Sequence, residues 1–176
     1  MKRPVWSASV IGILLSALAV GCPGEPGIAL GQQAMGVSSA AGGHILLSWV
    51  SCRGEYLERV RLFLVVGHDP AVADEDDPVL WDTHAMQGAQ PTPSQIVVGD
   101  TPRGFEEAKP LRVPIRSGKE YALLIDSNVS RGLDVVVFDP ASLKADRIFS
   151  MGTYHTEQDF RERGREKCAP PTAPNS

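Results

Sequence analysis

The chain has 176 residues, 43% hydrophobic and 22% charged, with a formal net charge of −4. That length reads as one domain. The hydrophobic fraction excludes a wholly disordered chain, and the acidic balance excludes a nucleic-acid binder working through a basic face. No repeat marks a solenoid or a propeller.

Met1, Lys2 and Arg3 open the chain with positive charge, and Val5 to Val20 follows without a charge. This run is shorter than the roughly 18 apolar residues of a transmembrane candidate. A positive start, an apolar middle and the small-residue exit Ala19-Val20-Gly21 make a secretory signal peptide over residues 1–21. Leu18-Ala19-Val20-Gly21-Cys22 resembles the lipobox of bacterial lipoproteins, where lipoprotein signal peptidase cuts before a lipid-modified cysteine. The family usually has Leu three residues before the Cys; here Ala19 stands there and Leu18 lies one place earlier. The resemblance implies acylation of Cys22 and a lipid anchor holding the protein at the cell membrane, on its extracytoplasmic side. One acyl chain binds membranes reversibly, whereas two or more attach stably. Ordinary signal cleavage is the other reading, since Ala19-Val20-Gly21 also fits the small-x-small rule. Removal of residues 1–21 takes away Lys2 and Arg3 and moves the net charge to −6.

The cysteines are Cys22, Cys52 and Cys168. An odd count in a secreted chain leaves one thiol over. Lipidation of Cys22 leaves Cys52 and Cys168 as an even pair, which an oxidising compartment permits to form a disulfide. Two buried free thiols are the alternative.

Residues 22–43 hold the anchor cysteine and a Gly-, Pro-, Ala- and Ser-rich stretch that reads as a flexible tether, with an edge strand near Ala34 to Ser38 as a lesser option. From His44 to Thr156 the pattern is short β-rich runs. His44 to Cys52 puts Ile45, Leu47 and Trp49 on one face. In Leu57 to Val66, Val60, Leu62, Leu64 and Val66 alternate with Arg59, Arg61 and Phe63, the mark of a half-buried strand. Pro78 to His84 and Gln95 to Gly99 follow. Leu111 to Arg116 is expected at an edge, because Pro114 cannot donate to a ladder. Tyr121, Leu123 and Ile125 are expected to point inward, and Leu133 to Phe138 alternates again. Asp139-Pro140 reads as an N-cap with Pro at the first helical position. Arg147 to Tyr154 is an eighth run. Residues 157–176 are a charged, briefly helical and then Pro-rich tail.

Seven or eight short strands with turns between them predict an all-β fold, an antiparallel β-sandwich. Ile115 to Leu123 is similar to the corner leading into strand F of immunoglobulin-like and fibronectin-type domains. There a Tyr after a Gly turn bonds back to upstream backbone, so the resemblance implies that structural role for Tyr121. No Cys lies two residues after Tyr121, which separates the chain from true antibody-type domains.

Chemical motifs are sparse. Asp69 to Pro78 is dense in carboxylates, yet it lacks EF-hand spacing and a mid-loop Gly, and reads as a solvated loop. His44, His68, His84 and His155 form no close sequence pair and neighbour no Cys, so no metal site and no cofactor are expected. No Ser elbow, dinucleotide fingerprint or P-loop is present. Asn128-Val129-Ser130 fits a glycosylation sequon and reads more simply as a turn. Residues 71–110 carry eight acidic and two basic side chains, while 161–168 carry four basic and two acidic, a contrast that reads first as a solvated surface kept soluble by charge and otherwise as a means to orient a partner or the domain on an anionic membrane. Trp81 and the Gly88 to Pro93 loop are candidates for binding, and Trp81 reads equally as a core residue. The leading expectation is a non-enzymatic, lipid-anchored envelope protein that binds a protein, peptide or glycan. The alternatives are a small metal-dependent hydrolase gathering His68, His84, Asp82 and the acidic loop, and a structural surface spacer.

Overall fold

The computed structural model describes residues 35–66, 77–129 and 134–168. Residues 1–34, where a signal peptide and the lipidation of Cys22 are expected, His68, the acidic run before Asp77 and the end of the chain beyond Cys168 lie outside the described residues. Among the described residues ten strands form two antiparallel sheets of five. In chain order they are β1 Met35–Ser39, β2 Ile45–Trp49, β3 Leu57–Leu64, β4 Val79–Ala85, β5 Gln95–Val97, β6 Phe105–Lys109, β7 Tyr121–Ser127, β8 Asp134–Phe138, β9 Ile148–Ser150 and β10 Thr153–His155. One sheet has the order β10-β9-β1-β2-β5 and the other β6-β4-β3-β7-β8. A helix, α1 Glu157–Lys167, closes the described chain.

Period-two alternation builds the core. Met35 and Val37 of β1 and Leu47 and Trp49 of β2 share one buried cluster with Val60 and Leu62 of β3, Leu123 and Ile125 of β7, and Val136 and Phe138 of β8. Leu80 and Trp81, adjacent in sequence, both pack on this cluster. The β3–β4 register shifts between Leu62 and Phe63, which pair with Trp81 and Val79, so Leu80 is an extra residue in β4. Such a bulge sets two residues of one strand against one of its neighbour.

The outward face of the β3 sheet is built in rows. Val79, Phe63, Ala122 and Val137 stand in register across four strands, with Leu124 and Val135 beside them. Phe63, Ala122 and Leu124 form a second buried cluster. The next positions are charged: Arg59 reaches Asp82, and Arg61 reaches Asp126 at 3.0 Å.

Three expectations change. The stretch 35–43, read as part of a tether, contains β1, and β1 lies between β2 and β9 rather than at an edge. Its sequence MGVSS shows only two apolar residues, yet Gly36 is required there, since a Cβ would lie 2.5 Å from Ile148 and 2.9 Å from the Phe149 carbonyl oxygen. Leu111 to Arg116 is not a strand, because Pro110 and Pro114 each remove a ladder donor; Leu111 and Ile115 still pack on the core. One edge of that half of the fold is instead β6, whose sequence FEEAK buries Phe105 alone. The run Arg147 to Tyr154 divides into β9 and β10 around a two-residue turn, Met151-Gly152, with φ of 50° and 76°.

The corner is formed as the Tyr121 resemblance implies: the Arg116 backbone N–H donates to the Tyr121 hydroxyl at 2.9 Å. Asp139 accepts from the Ala141 N–H at 2.9 Å and caps the short 3-10 turn Pro140–Ser142. Thr156 caps α1 by accepting from the Asp159 N–H, and Glu157 and Asp159 in the first turn with Arg165 and Lys167 in the last suit the helix dipole. Phe160 and Gly164 are its buried residues.

Two substitutions test this packing. Tyr121→Phe should cost about 1 kcal/mol in denaturant unfolding, the worth of one hydrogen bond. Gly164→Ala would gain about 1 kcal/mol on an exposed helix face. Here its Cβ would meet Val50 at 2.7 Å, so a net loss of roughly 1–2 kcal/mol is expected from overpacking.

Candidate functional site

Among the described residues the histidine and carboxylate candidates do not converge. Asp82 and His84 both stand on the outward face of β4, but each has its own partner. Arg59 Nε donates to Asp82 Oδ1 at 2.9 Å. That hydrogen bond raises the Arg59 guanidinium above its ordinary pKa, with partial burial opposing it. His84 Nε2 lies 2.8 Å from Glu106 Oε1 on the neighbouring β6. Asp77, at the end of the acidic run, accepts from the Val66 N–H at 3.1 Å and ties together the two ends of that connection. His155 meets Thr153, and no three His, Cys, Asp or Glu side chains gather as a metal site among the described residues. Trp81 is fully buried in the core and is not available to a ligand. Asn128 is engaged too: its Oδ1 accepts from the Tyr56 N–H and its Nδ2 donates to the Gly54 carbonyl.

The Gly88 to Pro93 loop does line a concavity. A groove of about 540 Å³ runs beside β5, an edge strand of its sheet. Pro91, Thr92 and Pro93 form one part of its wall, Asp100 and Arg103 another, and Gln95 and Val97 lie along β5 itself. The ladder shows what β5 offers. Trp49 N–H donates to the Ser94 carbonyl, Val98 N–H donates to the Ile45 carbonyl, and Leu47 pairs with Ile96 between them. Residues 94, 96 and 98 therefore direct their backbone groups to β2. Alternation turns those of Gln95 and Val97 the other way, toward the groove. The Val97 carbonyl accepts from Asp100 N–H; the Gln95 N–H and carbonyl and the Val97 N–H have no recorded backbone partner among the described residues. An unpaired edge beside a groove suits an extended chain, which adds backbone bonds to the strand and side chains to the groove. The short strand and the flanking prolines limit self-association. Sequence reading pointed to the loop but not to the free edge, because which strand is terminal follows from topology.

Cys52 and Cys168 lie at disulfide distance, S–S 2.03 Å, across a sequence separation of 116. The bridge fastens the C-terminal end of α1 to the β2–β3 connection. No family model matches the chain, and neither curated proteins nor solved structures give a match.

Cys168→Ser should lower stability by about 4 kcal/mol, given the long loop the bridge closes. Reducing agent should produce the same loss in the unaltered protein and none in the variant, read by urea unfolding.

Proposed function

We propose that the protein is a lipid-anchored cell-envelope protein, acylated at Cys22 on the extracytoplasmic side, and that it is a non-enzymatic binding module. The groove beside β5 is its binding face, and a protein or peptide partner in extended form is the occupant it suits best. The observation that carries the binding part is the free β5 edge facing the groove at Gln95 and Val97. The sequence Met1 to Cys22 supports the anchor. Under this reading the domain is an immunoglobulin-like variant. The β2–β5 pairing and the β3-β7-β8 order correspond to the B–E and C–F–G pairings of that sandwich, with β6, β9 and β10 added. The hydrolase alternative has less support, since Asp82 and His84 are held by Arg59 and Glu106.

Photo-crosslinkers introduced at Thr92 in the groove and at Glu107 on β6 test the reading in intact cells. Capture of one stoichiometric partner from Thr92 only, lost with Val97→Pro, is the expected result. Equal capture from both positions, or none from Thr92, would overturn the groove. Mass spectrometry of the mature N-terminus should find an acylated Cys22, and Cys22→Ser should release the protein from membranes.

A further inference from the structure

Five large apolar side chains are exposed among the described residues, and three of them share one end of the sandwich. Met86 follows β4, Val129 follows β7, and Met151 forms the β9–β10 turn; they are 45%, 53% and 63% exposed. Val66 and Val113 are at the other end, where β3 finishes and β7 begins.

The loops of the first end are tied together. Leu57 N–H donates to the Pro91 carbonyl, Asn128 N–H to the Tyr56 carbonyl, and Met86 N–H to the Gly104 carbonyl. Lys167 Nζ lies 3.9 Å from the Met151 sulfur, Gly164 packs on Val50, and Cys168 is bridged to Cys52. The last two turns of α1 belong to this end as a result. Arg53, Arg163 and Arg165 are exposed there, and no ion pair is recorded for them among the described residues. The acidic side chain of the β2–β3 connection is turned inward, Glu55 accepting from the Cys52 N–H and the Ser127 hydroxyl, while Glu162 and Glu166 are exposed on the same turns of α1 and offset part of its positive charge.

Met151 sharpens the picture. It is the one non-glycine with positive φ among the described residues. A two-residue hairpin turn of this kind favours Asn, Asp or Gly at that position. A large apolar residue that is both exposed and left-handed is a poor choice for folding, and such conflicts gather where a surface has another task.

The described chain also enters at this end. Met35 pairs with Trp49, next to the β2–β3 connection. Twelve residues separate it from Cys22, a span of at most about 45 Å in any conformation.

We propose that this end of the sandwich rests on an anionic lipid surface, with Met86, Val129 and Met151 entering the headgroup region and Arg53, Arg163 and Arg165 meeting lipid phosphates. The inference rests on the acylated Cys22 of the preceding reading, which keeps Met35 within about 45 Å of the surface. Apolar tips and basic side chains on one face are the pairing that interfacial binding requires. The β5 groove then opens beside the membrane-facing end, on the flank of the domain.

The test uses the mature acylated protein, recovered from membranes and reconstituted into vesicles of equimolar phosphatidylglycerol and phosphatidylcholine. Nitroxide labels are placed through Val129→Cys or Met86→Cys at this end, and through Val113→Cys at the other. Access of a water-soluble nickel chelate should fall several-fold at 129 and 86 on the vesicles, and stay unchanged at 113. Combining Arg53→Glu, Arg163→Glu and Arg165→Glu should restore access, each basic residue contributing about fivefold to partition at an anionic surface. Met151→Asn should raise the Tm while increasing nickel access at 129, which a purely structural role for Met151 would not do. Equal access at 129 and 113 in a protein that is acylated and stays with the vesicles would overturn the docking face and leave the anchor standing. A mature chain without acyl groups, found in the aqueous phase after detergent partitioning, would overturn the anchor reading and this inference together.

Discussion

Leu47 and Trp49 on β2, and Val60 and Leu62 on β3, are joined by a single short connection, yet they belong to different sheets and to one buried cluster. Burying one face of each sheet against the other is what the rest of the structure depends on. Each sheet alone would leave a row of large apolar side chains in water, at a cost of about 1.5–3 kcal/mol for each one exposed. The packing also decides which side chains remain outside. Arg59, Arg61, Asp82 and Asp126 line the outward face because their neighbours in sequence point in, and they pair across strands, Arg59 with Asp82 and Arg61 with Asp126.

That outward face is not uniform. Its charged positions give way to the row Val79, Phe63, Ala122 and Val137, and Phe63, Ala122 and Leu124 are buried there. Arg61 spans the change, pairing with Asp126 while its guanidinium stacks over Phe63 at 5.6 Å. The aliphatic part of such a side chain covers apolar surface while the charge stays paired.

The sandwich was legible where alternation is strong, in β3, β7 and β8, and the corner at Tyr121 was legible from its Gly turn. It was not legible where strands are made of small or charged residues. Met35–Ser39 looks like linker because Gly and Ser dominate it, although it is central; its place is imposed by close packing at Gly36. Phe105–Lys109 looks like loop because an edge strand needs only one buried residue to hold it. Leu111 to Arg116 has the right alternation and fails for want of backbone donors. For the site, sequence supplied the Gly88 to Pro93 loop, but the free edge of β5 comes from strand order, which no local pattern encodes. His84 and Asp82 looked available because their partners, Glu106 and Arg59, are distant in sequence and adjacent only across the sheet.

The bridge from residue 52 to residue 168 encloses most of the domain in one covalent ring. Any single peptide bond broken between those positions opens the ring without dividing it. A protease reaching the long connection between β3 and β4 would leave a nicked molecule whose two pieces remain joined through sulfur. Such an injury is one from which the pieces cannot diffuse apart.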